Sequence, residues 1–169
     1  MYQLKLWLKR FVRYLDYASN YSALPSEKAV LETLPEANGI IDFLYKLAEY
    51  LTFNFYYASD GDLDFAKHPL VFARDKKGDC DDFALFALWV FRIKFPEAES
   101  YLATCFRDNE GHAVCIVMFG GNYYHISNWG MYGGFNTFEA LAASIFPDWK
   151  RFYLLNYNFT ILKTLQNKG

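Results

Sequence analysis

The chain has 169 residues, enough for one domain with a substantial hydrophobic core. Apolar residues make up 53% of it and aromatic residues 21%, a composition that excludes a disordered chain. The formal net charge of −2 provides no broad basic surface, so nucleic acid is not expected as a partner. We expect a single domain over residues 1–169.

Residues 1–20 predict an amphipathic helix with a basic face. Lys5, Lys9, Arg10 and Arg13 interrupt its apolar positions, which argues against a signal peptide. No apolar run in the chain is long enough to span a bilayer. Two roles are open for this helix: packing on the domain, or docking to a partner or a membrane surface.

Three cysteines, Cys80, Cys105 and Cys115, provide no disulfide framework and favour a reducing compartment. Together with the interrupted N-terminal pattern, this predicts a cytoplasmic location. Cys105 and Cys115 lie in mostly apolar runs, where we expect them to be buried.

The first half of the chain predicts helices. One helix is expected from near Ser26 to before Pro35, a longer one from about Ala37 to Phe55, and a loop over residues 58–69. A further helix begins within a residue or two of Cys80 and ends before Pro96. It is apolar on all sides from Phe83 onward, so it should be buried at the centre of the domain.

The second half changes to short β-branched and aromatic runs. These predict antiparallel strands over residues 100–106, 112–119 and 122–128, a short helix over 137–146 and another strand over 151–159. The residues around Met131 predict a glycine-rich loop. The expected fold is α+β, with one buried central helix that carries Cys80 at its N-terminus and packs on an antiparallel sheet.

Cys80 is the candidate nucleophile. The N-terminus of a helix stabilises a thiolate, the reactive form of cysteine. Asp79 and Asp81 oppose this effect, because nearby carboxylates disfavour a second negative charge. Cys80 therefore needs a histidine partner or a cation.

Three histidines could serve as the base: His68, His112 and His125. His112 opens a strand directly after a turn, at the edge where a helix N-terminus can meet it, so it is the preferred base. A third group should orient the imidazole, and Asn128 and Ser127 are the candidates.

The length of the turn after Phe119 decides between these two candidates. A three-residue turn places Asn128 on the face of His112, whereas a two-residue turn places Ser127 and His125 there. Because burying Ile126 costs less than burying His125, the three-residue turn and Asn128 are favoured.

The motif Gly78-Asp79-Cys80-Asp81-Asp82-Phe83-Ala84, followed by Gly111-His112-Ala113-Val114, resembles the transglutaminase-like superfamily of papain-like folds. The form GDCDDFA is similar to the bacterial transglutaminase-like cysteine proteinases, including periplasmic enzymes that clip adhesins. The segment from Tyr56 to Pro69 also resembles this group, and the likeness covers about residues 50–130.

This resemblance implies a nucleophile at Cys80 and a general base at His112. Relatives commonly carry Asp-Asn where this chain has Ser127-Asn128, so Asn128 takes the orienting role or the triad is incomplete. Relatives often carry Trp at the position of Ala66. The oxyanion hole would combine the Cys80 N–H with an upstream donor such as Tyr57.

The adhesin-clipping relatives bind calcium next to the cysteine, which implies a calcium site at Asp79 and Asp81. The alternative is that these residues only cap the helix. No other metal or cofactor is predicted.

The expected function is hydrolysis of peptide or amide bonds in a protein or peptide substrate, through a thioester on Cys80. Transamidation and deamidation are further options, but no feature of the sequence specifies an amine acceptor. A different class is also open: a catalytically inactive binding or assembly module with the same fold.

Overall fold

The computed structural model describes Arg13, residues 17–18, residues 21–59 and residues 66–167. Its helices are α1 (Glu27–Glu32), α2 (Ile40–Asn54), α3 (Pro69–Asp75), α4 (Cys80–Lys94) and α5 (Phe138–Ile145). Its strands are β1 (Tyr56–Tyr57), β2 (Lys77–Gly78), β3 (Glu99–Arg107), β4 (Glu110–Phe119), β5 (Asn122–Ser127), β6 (Gly130–Phe135), β7 (Arg151–Leu155) and β8 (Ile161–Gln166).

Most predicted elements are confirmed with small changes in their bounds. Ser26 and Thr137 cap α1 and α5, each accepting a hydrogen bond from a backbone N–H three residues later. Five of these elements were not predicted: the short strands β1 and β2; β6, which was expected to be a loop; β8; and α3, where Pro69 takes the first helical position.

The predicted N-terminal helix lies largely outside the described residues. Arg13, Tyr17 and Ala18 are helical, as expected. In the ranges that the structure describes, no helix is long and apolar enough to cross a membrane.

Six strands form one antiparallel sheet in the order β6-β5-β4-β3-β7-β8, while β1 and β2 form a separate parallel pair. The sheet has a helix on each face. Alternate residues of β4 therefore enter two different clusters: Ala113, Cys115 and Val117 pack with α4, whereas Val114 and Ile116 pack with α5.

Helix α4 is the buried central element that the sequence predicted. All of its residues from Asp81 to Phe91 are buried. An element that is apolar on all sides can be stable only if it is enclosed, and here α2, α3 and the sheet enclose it. The helix begins at Cys80, so the candidate nucleophile lies at the end of a rigid core element.

The predicted register of the β4–β5 hairpin is wrong. Phe119 pairs with Asn122 rather than with Tyr123, so the turn consists of Gly120 and Gly121 alone. Both glycines have positive φ, +58° and +77°, which suits a two-residue hairpin turn because its twist matches that of the strands. A change of one residue moves every side chain of β5 to the other face.

Candidate active site

The turn before Cys80 is held by a reciprocal capping box. Asp79 is the N-cap residue, and its side chain accepts a hydrogen bond from the Asp81 N–H at 3.1 Å. The Asp82 side chain accepts one from the Asp79 N–H, also at 3.1 Å. These two carboxylates satisfy N–H groups that a helix start leaves without partners, so capping is an observed role of Asp79 and Asp82.

His112 lies near the beginning of β4, directly opposite Cys105 of β3. Strand alternation directs its side chain to the face covered by α5, together with Val114 and Ile116. Cys80, in contrast, packs against the cluster around α4. The candidate nucleophile and the candidate base are therefore associated with different faces of the sheet.

Trp129 covers the ring of His112. The two rings are parallel within 6°, and their centroids lie 3.5 Å apart. Trp129 remains 49% exposed, so it forms an outer layer over a histidine that is only 5% exposed. This stack agrees with the observed register: Cys115 pairs with Ile126, and three residues further along each segment stand His112 and Trp129.

Burial holds His112 in its neutral form. Loss of solvent lowers the pKa of His112 to about 3, and the nearby His125 adds a smaller effect in the same direction. His112 Nε2 is buried without a hydrogen-bond partner, so in the described part of the chain it is bonded to neither Cys80 nor Asn128.

The wrong register prediction also misplaced His125. It was expected on the solvent side of the sheet, but it is 1% exposed and lies on the face of His112. Its Nε2 lies 3.0 Å from Ser144 Oγ on α5, and burial lowers the pKa of His125 to about 4. The hydroxyl satisfies one ring nitrogen of the neutral histidine from a position far away in the sequence, whereas His125 Nδ1 is buried without a hydrogen-bond partner among the described residues.

The two candidates for the third group occupy different positions. Ser127 is on the face of His112, and its Oγ accepts a hydrogen bond from the Trp129 N–H at 3.1 Å. Asn128 follows the end of β5, and its Oδ1 is buried without a partner among the described residues. The register argument for Asn128 therefore fails, and its orienting role stays a prediction.

An exposed aromatic surface adjoins this cluster. Trp129 and Tyr132 are each 49% exposed, and the Tyr132 hydroxyl donates to the Trp129 carbonyl at 3.3 Å. Tyr132 belongs to β6, where it stacks on His125 with a centroid distance of 5.2 Å. The glycine-rich segment is thus a paired strand rather than the predicted loop.

The upstream residues are placed as follows. Tyr57 is exposed on β1 and pairs with Gly78, directly before the Cys80 turn. Ala66, at a position where relatives often have Trp, is fully buried in the core around α4. Tyr57 therefore lies beside the segment that leads into Cys80, and its role as an oxyanion donor stays a prediction.

The other two cysteines are buried, as predicted. Cys105 and Cys115 are both 0% exposed. Burial raises the pKa of Cys105 to about 12 and raises the pKa of Cys115 as well. Cys80 is the partly exposed thiol among the three.

The calcium site that the resemblance implies is not tested by the structure. Across residues 21–59 and 66–167, no group of three or more His, Cys, Asp or Glu side chains is arranged to hold a metal ion. Asp79 is engaged in capping, and Asp82 both caps and pairs with Lys67. Calcium at Asp79 and Asp81 stays a prediction, and the reaction proposed below has no step that uses it.

No protein-family profile matches the sequence, and no curated protein matches it. Among solved structures, a candidate cysteine protease from Cytophaga hutchinsonii matches with a TM-score of 0.50 and 13% identity, over 83% of this chain and 48% of its own. LapG from Legionella pneumophila, described as EGTA-treated, matches with a TM-score of 0.50 and 18% identity, over 83% of this chain and 74% of its own.

The fold is papain-like and transglutaminase-like. This confirms the fold class predicted from the sequence. At these identities the likeness concerns the fold alone. The chain spans about half the length of the first of these structures.

Proposed function

We propose that this protein is a cysteine-dependent hydrolase of peptide or amide bonds, with Cys80 as the nucleophile. The observation that carries the proposal is the position of Cys80: the first residue of a capped, buried central helix, in a fold similar to that of a cysteine protease. The helix N-terminus favours the thiolate, and partial exposure lets a substrate reach it.

In the proposed reaction, Cys80 Sγ attacks the carbonyl carbon of the scissile amide, and His112 is the proposed acceptor of the thiol proton. Because the two residues are associated with different faces of the sheet, this transfer requires the His112 ring to turn towards Cys80 or a water molecule to carry the proton between them. The tetrahedral intermediate collapses by breaking the C–N bond, and His112 returns the proton to the departing amine. Water then attacks the thioester, releasing the carboxylic acid and restoring the thiol. The Cys80 backbone N–H is the proposed oxyanion donor.

His112 is the proposed base because its ring is neutral, and only a neutral imidazole can accept a proton. Its buried Nε2 without a partner is the atom that a third group would orient. Asn128 Oδ1 is also buried without a partner. A hydrogen bond between these two atoms would remove the free-energy cost of burying each of them unpaired. Asn128 therefore remains the proposed orienting residue, with Ser127 as the alternative on the same sheet face as His112.

A catalytically inactive binding module is the second candidate function. The specific observation in its favour is the stack of Trp129 on His112 together with a His112 pKa of about 3. A base with so low a pKa accepts a proton weakly, and the stacked indole restricts movement of the ring. In this case the exposed Trp129 and Tyr132 would contact a bound polypeptide.

The test compares the purified full chain with a Cys80→Ala variant on a mixture of unstructured peptides, with products identified by mass spectrometry. Calcium and EGTA buffers are run in parallel, and a primary amine is added in one arm. We expect new peptide termini from the wild type in at least one buffer and none from Cys80→Ala, with thermal unfolding unchanged. Amine-modified products would indicate transamidation.

Equal cleavage by Cys80→Ala would contradict the proposal. Peptide binding without cleavage by either protein would support the binding module. Iodoacetamide provides an independent check, because an activated Cys80 should be alkylated much faster than Cys105, which burial keeps protonated.

A further inference from the structure

The Asp82 carboxylate is a buried hub beneath the Cys80 turn. Asp82 is 1% exposed. Its Oδ1 accepts the Lys67 backbone N–H at 2.6 Å, and its Oδ2 accepts the Asp79 N–H at 3.1 Å. The Lys67 ammonium lies 3.3 Å from Oδ2. One carboxylate thus binds two segments that are distant in the sequence.

The chain before Cys80 is shaped to admit this carboxylate. A Cβ atom built on Gly78 would lie 2.0 Å from Asp82 Oδ2 and 2.7 Å from the Asp82 Cβ. Any side chain at position 78 would therefore displace Asp82 from its hydrogen bonds. Gly78 is buried, and its carbonyl accepts the Ala58 N–H at 2.8 Å, so the backbone there has little room to shift.

The negative charge of Asp82 is paired with the neighbouring ammonium group of Lys67. The Asp82 side chain is fully buried and the Lys67 side chain is 13% exposed, so solvent screens the pair weakly. A buried ion pair is costly unless its remaining hydrogen bonds are satisfied, and here two backbone donors help to satisfy the carboxylate. Helix capping alone would need neither Lys67 nor such deep burial.

We propose that Asp82 is a positioning residue for Cys80. It fixes the Gly78–Asp79 peptide against residue 67, and so keeps the first N–H groups of α4 aligned with the Cys80 thiolate. This inference rests on the proposed function, in which Cys80 is the nucleophile. Asp82 acts through the backbone and does not contact the substrate.

The test measures the rate of Cys80 alkylation by iodoacetamide against pH in EGTA buffer, which removes any bound calcium, with the modified residue identified by mass spectrometry. It compares the wild-type full chain with Asp82→Asn and with the control Asp81→Asn. Both variants remove one negative charge from the first turn of α4, which on its own would lower the midpoint of the pH–rate profile.

We expect opposite results from the two variants. Asp82→Asn should raise the midpoint and slow alkylation at pH 7 about tenfold, because misaligned N–H groups no longer stabilise the thiolate. Asp81→Asn should lower the midpoint or leave it unchanged. A folded Asp82→Asn protein whose midpoint falls, or whose rate stays within about twofold of the wild type, would overturn the proposal.

If Asp82→Asn does not fold, Gly78→Ala provides the same test, since its new Cβ displaces the carboxylate while keeping the charge. Wild-type alkylation in folded Gly78→Ala would overturn the proposal, and failure of both variants to fold would assign Asp82 to folding instead. Alkylation needs no peptide substrate. Absence of peptide cleavage by the wild type would therefore count against the hydrolase alone.

Discussion

His112 is under two opposing physical demands. Burial and the Trp129 stack hold its ring neutral and fixed, while a general base must accept a proton close to the nucleophile. A bound substrate that displaces Trp129 would relieve both constraints, because it would free the ring to turn and change its solvation. Under the proposed function, the capacity of His112 to act as a base therefore depends on whether Trp129 stays stacked on its ring.

The buried histidines predict a stability that falls in acid. Unfolded histidines take up protons near pH 6.5, whereas burial lowers the pKa of His112 to about 3 and of His125 to about 4. Burial likewise lowers the pKa of His68 to about 4. As the pH falls through 6.5 the unfolded state thus binds more protons, so the free energy of unfolding should fall, with a slope that approaches about 1.4 kcal/mol per pH unit for each of these histidines below about pH 5.5. Urea unfolding between pH 7 and pH 5 measures this slope.

A variant of His125 tests the contribution of one histidine to this pH dependence. His125→Gln keeps a polar group for Ser144 but cannot titrate, so its stability should depend on pH less steeply by about one proton. An unchanged slope in this variant, or a wild type that is equally stable at pH 5 and pH 7, would show that the histidines are not held neutral.

At the scale of elements, the β4–β5 turn determines which side chains meet on the face of His112. Gly120 and Gly121 both adopt left-handed backbone conformations. We expect Gly121→Ala to lower the free energy of unfolding by about 1 kcal/mol, since a Cβ disfavours this region. Gly120→Asn should be tolerated, because Asn-Gly is a preferred sequence for this turn.

Urea denaturation of the two turn variants tests this account. Equal stability of Gly121→Ala and the wild type would mean that the turn is not held in its two-residue form. A large loss in Gly120→Asn would have the same meaning. Neither variant touches Cys80 or His112, so Cys80 alkylation provides a check that the site is intact.

The turn also shows where prediction from the sequence reached its limit. The letters GGN permit both a two-residue and a three-residue turn, and the choice depended on the cost of burying His125. Ser144 on α5 offsets part of that cost by pairing with one ring nitrogen, and no local sequence pattern reveals this partner. The Cys80 turn could be predicted well, since its glycine, aspartates and apolar run all act within a few residues.

At the scale of the whole molecule, the N-terminal segment contacts the C-terminal part of the chain through Arg13. Its guanidinium lies over the rings of Tyr157 and Phe159, at 5.1 Å and 5.0 Å from their centroids, and Nη1 donates to the Tyr157 carbonyl at 3.4 Å. Arg13 is 8% exposed. The contact supports packing on the domain for this residue, while docking through residues 1–20 stays a prediction.

Replacing Arg13 tests the importance of this contact. We expect Arg13→Ala to lower the free energy of unfolding by about 1–2 kcal/mol, from the loss of a desolvated cation–π contact and of buried packing. Arg13→Lys keeps the charge but not the planar group, so it should recover only part of the loss. If thermal unfolding is the same for Arg13→Ala and the wild type, the N-terminal segment is not anchored here.

The order of the elements and the fold class follow from local patterns, because helical and strand periodicity are read from neighbouring residues. The edge strands β6 and β8 were missed for a related reason. Strand β6 contains three glycines and lacks alternation, so its pairing with β5 is a tertiary effect. The relative position of Cys80 and His112 likewise depends on how α4 packs on the sheet, which local sequence patterns do not reveal.

The central claim is that Cys80 forms a thioester with its substrate. Its most direct test is to mix the full chain with a peptide substrate or an activated peptide ester, quench in acid and map the protein by mass spectrometry. The account predicts an acyl adduct on Cys80, reduced at least tenfold in His112→Ala and absent from Cys105 and Cys115. No adduct on Cys80, or an adduct unaffected by His112→Ala, would contradict it.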